Sequence, residues 1–242
     1  MASEVVVFPD GESIGRSAAE RVIAAAQEAI TARGRFSFGL SGGSTPRLLF
    51  EMLAQPAFAD RIDWARVFVF WGDERTVPPD HADSNYRLAR ETLLDHVPIP
   101  ADNVFRIPGE IDPAEAAAAY EHTLRAFFGK RSVFDLLLLG LGDDGHTASL
   151  FPGTVALQEE TRWVVENYVE KLATWRITMT APAINDARQV MFLITGANKA
   201  PALRAVLEGP HQPAVYPAQL VQPENGELVW MVDEAAAAAL TR

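Results

Sequence analysis

The chain has 242 residues and a formal charge of −11, from 21 Lys+Arg against 32 Asp+Glu, and it contains no cysteine. So acidic a chain argues against a nucleic-acid binder, which needs a basic face for the phosphate backbone. The missing thiols exclude disulfides, thiolate catalysis and cysteine metal sites.

Apolar residues at 48% and charged residues at 22% are the mix of an ordinary folded protein. With no repeat, low-complexity tract or long linker, one domain over residues 1–242 is expected. The opening MASEVVVFPD lacks the basic and long apolar regions of a signal peptide. No run of about 18 apolar residues suggests a membrane span, so a cytoplasmic protein without a membrane partner is expected.

In chain order the patterning predicts a strand at Glu4–Phe8 and a helix at Ser13–Ala32, with Asp10 as cap and Gly34 as stop. A strand at Arg35–Leu40 and a helix at Pro46–Ala54 follow. Next come a strand at Val67–Trp71, a helix at Ser84–Leu94, a strand at Val104–Ile107 and a helix at Pro113–Phe128. Strands at Val133–Gly140, Trp163–Val169, Arg176–Thr180 and Val190–Thr195 precede a helix at Lys199–Leu207. A strand at Leu228–Val232 and a helix at Glu234–Leu240 close the chain. Strands that are apolar almost throughout, alternating with helices, point to an α/β fold with a mostly parallel sheet. Ligands of such sheets sit beyond the carboxyl ends of the strands. The loops after Leu40, Trp71, Gly140 and Thr195 are therefore the places where a site is expected.

Two of these loops carry motifs that mislead. Gly39-Leu40-Ser41-Gly42-Gly43 fits the G-x-S-x-G nucleophile elbow. The best histidine, however, shares one tight turn with Asp143 and Asp144 instead of lying on a separate later loop. The same stretch, Ser41-Gly42-Gly43-Ser44-Thr45-Pro46, makes an anion cradle at a helix N-terminus, with glycines admitting backbone N–H groups and hydroxyls as added donors. The bland alternative is a Gly/Ser turn in which Ser44 or Thr45 caps the helix. Gly140-Leu141-Gly142-Asp143-Asp144-Gly145 fits the dinucleotide fingerprint, with Glu166 at a suitable distance. Its two aspartates would repel a pyrophosphate, and Phe151-Pro152-Gly153 leaves no room for a crossover helix.

That loop carries acid–base chemistry instead. Asp144-Gly145-His146 sets a carboxylate two residues before an imidazole, which it can orient. The alternative is a structural histidine, the role expected for His81, His96, His122 and His211. The third loop, Trp71-Gly72-Asp73-Glu74-Arg75, leads into a rigid polar segment through Tyr86, and the fourth ends at Lys199. Each has a bland reading as solvated surface.

Together the loops resemble the glucosamine-6-phosphate isomerase/6-phosphogluconolactonase superfamily, and within it the 6-phosphogluconolactonases. The resemblance lies in SGGSTP (41–46), WGDERTVPPDHADSNY (71–86), LGLGDDGHTASLFPG (139–153), RITMTAPAINDAR (176–188) and ITGANKAPALRAVLEG (194–209). It implies a Rossmann-like three-layer α/β/α fold. It also implies hydrolysis of 6-phosphoglucono-δ-lactone to 6-phosphogluconate in the oxidative pentose phosphate pathway, with neither metal nor organic cofactor. The isomerase branch reads roughly D-G-H-I-A-F-N-E-P, and here Phe151 stands where its glutamate would be. That favours a lactonase over an amino-sugar-phosphate isomerase/deaminase or a non-catalytic sugar-phosphate sensor.

The expected catalytic groups are His146, as acid–base for the attacking water, and Asp144, which positions it. The loop from Ser41 through Gly42 and Gly43 offers oxyanion or phosphate donors. The resemblance adds Ser44, Thr45, Arg75, Arg176 and Lys199 as holders of phosphate and sugar, and Asp73 as a hydroxyl binder or an orienter of Arg75. The expected partner is a small phosphorylated sugar lactone, bound by a monomer with a dimer left open.

Overall fold

The computed structural model describes residues 3–241. Strand β1 (Glu4–Phe8) leads into helix α1 (Gly11–Arg33), whose first turn is capped by Asp10 accepting from the Ser13 amide at 2.8 Å. Gly34, at φ +75°, ends it because only a residue without Cβ enters the left-handed region freely. Its buried face is small, with Ala18, Ala19, Ala26 and Ala29 fully covered, which lets the helix backbone approach its neighbours closely.

The elements that follow are β2 (Phe36–Leu40), α2 (Ser44–Leu53), α3 (Pro56–Ala59), β3 (Val67–Trp71), β4 (Asp73–Arg75), α4 (Asn85–Thr92) and α5 (Pro113–Phe128). After them come β5 (Leu136–Leu139), β6 (Val164–Val169), β7 (Thr174–Met179), α6 (Ala181–Asn185), β8 (Gln189–Ile194), α7 (Ala200–Glu208) and β9 (Glu227–Asp233). Six strands form one sheet in the order β1-β9-β8-β5-β2-β3, with every pairing parallel. Strands β2 and β5 are buried along their whole length, as the apolar runs require of a sheet covered on both faces. From β2 the chain steps outward to β3, whereas from β5 it steps the other way to β8. The loops after β2 and β5 therefore diverge, and the crevice between them is the switch point where ligands of such sheets bind.

Strands β4, β7 and β6 form a separate antiparallel sheet. It hangs from the end of β3 through Gly72, whose carbonyl accepts from the Met179 amide at 2.8 Å. Its register sets Asp73 opposite Thr178 and Arg75 opposite Arg176, with Asn167 opposite Arg176 on the far side.

Two expected elements differ. Residues 104–107 make only a single bridge, Val104 to Val69, beyond which Pro108 offers no amide to a ladder. The C-terminal alanine run forms a short 3₁₀ turn at Ala236–Ala239 in place of a helix. Asp233, the last residue of β9, accepts from the Ala236 amide at 2.7 Å and so bends the chain at once.

Candidate active site

The β2–α2 loop opens the site. Gly43, at φ +112°, is the N-cap of α2 and supplies no side-chain bond to its first amides, so the amides of Ser44 and Thr45 are left unsatisfied by the helix. A Cβ on Gly42 would sit 1.8 Å from Asn85 Oδ1, so glycine is what lets this loop lie against α4. Ser41 and Thr45 are buried and turn to protein partners. The Ser41 hydroxyl donates to Gly42 O at 3.4 Å, and Thr45 Oγ1 lies 2.8 Å from Thr195 Oγ1, tying the exits of β2 and β8 together. Neither Ser44 nor Thr45 caps the helix. Gly43 and Ser44 face a cavity of about 500 Å³ that Arg47, Arg75, Asn85 and Arg87 also line.

The segment after β3 supplies the wall. Asp73 is buried, takes the Ser149 hydroxyl at 2.7 Å on one oxygen and the Asn85 amide at 3.3 Å on the other. Its carboxylate thus ties β4 to the start of α4 and to the loop after β5. Glu74 is buried deeper and accepts from the amides of Asn85 (2.8 Å) and Tyr86 (2.9 Å) and from the Ser84 hydroxyl (3.0 Å). Burial pushes its carboxyl up, opposed by those amides and reinforced by neighbouring Asp73. It acts as an external cap for α4. Arg75 donates to the carbonyl of Asp83, and Arg176 to that of Trp175 at 3.1 Å. Burial, and then the adjacent Arg75 guanidinium, draw the Arg176 pKa down. Two such cations side by side in a half-buried place form a planar, multi-donor setting suited to a phosphate. Lys199 stands at the N-cap of α7, beyond the end of β8, and no carboxylate of the described residues lies within ion-pair distance.

The β5 exit loop carries Asp144 and His146. The Gly142 amide donates to His146 O at 2.8 Å, closing a turn in which a Cβ on Gly142 would fall 2.0 Å from His146 Nδ1. His146 Nδ1 lies 2.6 Å from Asp144 Oδ1, and the other oxygen of Asp144 accepts from Lys171 Nζ at 2.9 Å. Burial raises the Asp144 pKa, but the hydrogen bonds from His146 and Lys171 outweigh it and hold the carboxyl well below its ordinary range. The Phe151 ring stacks on the imidazole at 4.0 Å between centroids and 21° between planes. With Nδ1–H given to Asp144, Nε2 is left as the proton acceptor.

Sequence reasoning missed Lys171, Arg47, Arg87 and Asn85. Lys171 lies in the turn joining β6 to β7, and only the second sheet brings it to Asp144. Asn85 sat inside the polar segment already singled out, yet nothing in its spacing marked its contact with Gly42.

The glucosamine-6-phosphate isomerases/6-phosphogluconolactonase family model matches residues 9–230. The chain belongs to this family. A 6-phosphogluconolactonase of Nostoc sp. is 44% identical to it, covering 100% of both chains. One from Haemophilus influenzae is 41% identical, covering 81% of this chain and 84% of the relative. Among solved structures, a 6-phosphogluconolactonase from Trypanosoma cruzi superposes with a TM-score of 0.88 at 29% identity, covering 100% of this chain and 98% of that one. A monomeric glucosamine-6-phosphate deaminase reaches 0.84 at 20% identity over 98% and 100% of the two chains, a likeness of fold alone.

Proposed function

We propose that the protein hydrolyses 6-phosphoglucono-δ-lactone to 6-phosphogluconate, the lactone-opening step of the oxidative pentose phosphate pathway. Full-length relatives of that name support the substrate. The single observation that carries the chemistry is the imidazole held at 2.6 Å by Asp144 at the switch point of the sheet.

In this reading His146 Nε2 removes a proton from a water as its oxygen bonds to the lactone carbonyl carbon. The tetrahedral oxyanion collapses, the bond to the ring oxygen breaks, and His146 returns the proton to that oxygen, which becomes a hydroxyl. The new carboxyl group then ionises. Asp144 fixes the tautomer, and Lys171 fixes Asp144. Arg75 and Arg176, with the free amides at the start of α2 and Lys199, hold the phosphate, while Gly42 and Gly43 offer amides to the oxyanion. Such preorganised donors are each worth about 3 kcal/mol in comparable acyl transfers. Phe151 supports the lactonase branch, because an apolar ring against the imidazole carries no proton of its own.

In this reading the enzyme is a single domain that acts as a monomer. A phosphorylated sugar does not cross membranes unaided, and no helix of the described residues is long and apolar enough to span one. The first point supports work in the cytoplasm.

The test is the hydrolysis rate on freshly made lactone, corrected for spontaneous opening, alongside unphosphorylated glucono-δ-lactone. A strong preference for the phosphorylated form is expected, with His146→Ala lowering kcat by roughly 10²–10⁴. Ammonia release from glucosamine 6-phosphate, or binding without turnover, would overturn the assignment.

A further inference from the structure

The opposite end of the sheet holds a concentration of positive charge that the lactonase reading does not use. At the amino ends of β2, β5 and β8, a cavity of about 330 Å³ is lined by Arg33, Arg35, Lys130, Arg131 and Arg188, with Asp135 its sole carboxylate. Five of the chain's 21 Lys+Arg thus meet in one hollow of a protein whose total charge is −11.

Local pairing leaves a surplus. Asp135 is buried and its oxygens are already in use: one takes the Ser37 amide and hydroxyl, each at 2.8 Å, and the other takes Arg33 at 2.8 Å with Arg188 at 3.6 Å. Arg131 reaches Asp186, with the Glu224 charge also acting on it. Arg35 lies over the Phe127 ring at 4.2 Å, and Lys130 has no carboxylate within ion-pair reach among the described residues. Five cations therefore face two direct carboxylate partners. Helix C-termini favour nearby cations, which accounts for Arg33 in the last turn of α1. Arg131 and Arg188 stand on the short connectors that follow α5 and α6, so the same preference favours them, but it does not require that all of these cations converge on one hollow. The buried Asp135 holds the Arg33 guanidinium by hydrogen bonds and draws Arg188 towards it, so part of the ordering cost of a binding site is already met.

We propose that this hollow is a second anion site, for a diphosphate-bearing small molecule. Guanidinium groups spaced around one cavity match paired phosphates through bidentate bonds, and the volume lies at the low end of small-ligand sites. Phe128 and Val133 add an apolar wall on the same lining. The site lies at the far ends of the strands from the catalytic loops, so it is not part of the lactone crevice.

The experiment is calorimetric titration of inorganic pyrophosphate, of ADP and of orthophosphate, in a chloride buffer of low ionic strength. The proteins compared are wild type, a Lys130→Gln/Arg131→Gln/Arg188→Gln variant and an Arg75→Gln/Arg176→Gln variant. Arg33 is left in place so that buried Asp135 keeps a partner. The proposal expects pyrophosphate to bind wild type at least ten-fold more tightly than orthophosphate. It expects the triple variant to lose ten-fold or more of that affinity while its lactone KM stays within two-fold, and the crevice variant to retain the affinity. ADP binding as tightly as pyrophosphate identifies a nucleotide as the source, and pyrophosphate alone identifies the free ion. Equal pyrophosphate affinity in wild type and triple variant, or a loss only in the crevice variant, overturns the site. Circular dichroism of the triple variant guards against misfolding. If it is unfolded, Arg131→Gln alone takes its place, with a three-fold or greater loss expected and an unchanged affinity counting against the site.

Discussion

Lys171 illustrates how much a modest side chain can matter through what it touches. Its own head is largely in water, at 60% exposure, so the pair with Asp144 is screened and its effect is small. Lys171→Met should lower kcat only a few-fold, because Asp144 keeps its bond to the imidazole. KM should stay within two-fold, and Lys171→Arg should recover most of the loss. A purely structural lysine would move KM and stability together with kcat, so steady-state kinetics with a thermal melt separates the two roles. Asp144 adds a pH signature. Its carboxyl is held below the ordinary value of 3.8 in the fold, so the unfolded chain binds the proton more readily. Its stabilising contribution is therefore present above that value and is lost as pH falls through it towards the folded pKa. The melting-temperature gap between wild type and Asp144→Asn should shrink from about pH 6 to about pH 3. A gap constant across that range would contradict the pairing. Within this site the Asp144–His146 pair was legible because both groups lie on one turn. Phe151, five residues on, was noticed as a departure, but its stacking on the imidazole depends on how residues 147–150 fold back.

At the scale of elements, the loop after β3 depends on Glu74. This carboxylate binds two amides of α4 and the Ser84 hydroxyl, so it fixes both where the helix starts and where Arg75 and Asn85 stand. Removing an acceptor from buried donors costs about 1–3 kcal/mol. Glu74→Ala should lower the melting point by several degrees and raise KM for the lactone more than it lowers kcat. An unchanged KM would mean that Arg75 is placed by other contacts. The main sheet was readable because β2, β3, β5 and β8 are apolar runs long enough to show their type, each followed by a loop of unusual composition. The second sheet was not. Strand β4 has only three residues, too few for any period to emerge, and β6 and β7 read as two more strands of one sheet. The short turn between β6 and β7 makes those two antiparallel, but β4 joins them only across the chain, with Asp73 opposite Thr178. Lys171 escaped notice because the β6–β7 turn must fold back before it meets Asp144, and Asn85 because its approach to Gly42 exists only once α4 packs against the β2–α2 loop.

For the whole molecule the question is how a net charge of −11 coexists with a site for an anion. On the proposed reading the local field answers it, because Arg75 and the start of α2 line one cavity and Arg176 stands opposite Arg75 in the second sheet, while most carboxylates lie on the surface. The surplus still opposes folding through self-repulsion. A chain of this length has a folded radius of gyration of about 18 Å and an unfolded one of about 54 Å, so folding brings the charges together. The Debye length falls from about 30 Å at 0.01 M salt to about 8 Å at 0.15 M. At the lower ionic strength the repulsion spans the folded molecule, and at the higher it does not. Ion pairs such as Arg87–Glu91 at 2.7 Å and Arg125–Glu121 at 2.6 Å act well inside either length and respond less. Added sodium chloride at pH 7 should therefore raise the melting temperature. A gain of about 1 kcal/mol corresponds to about 2–4 °C for a chain of this size. The increment should vanish near the isoelectric point, about 4.9. Chloride is the right anion for the measurement, since phosphate would also stabilise the fold by occupying a site. A melting temperature equal or lower at 0.15 M than at 0.01 M would show that attractive pairs, not the excess of carboxylates, dominate the electrostatics of this fold.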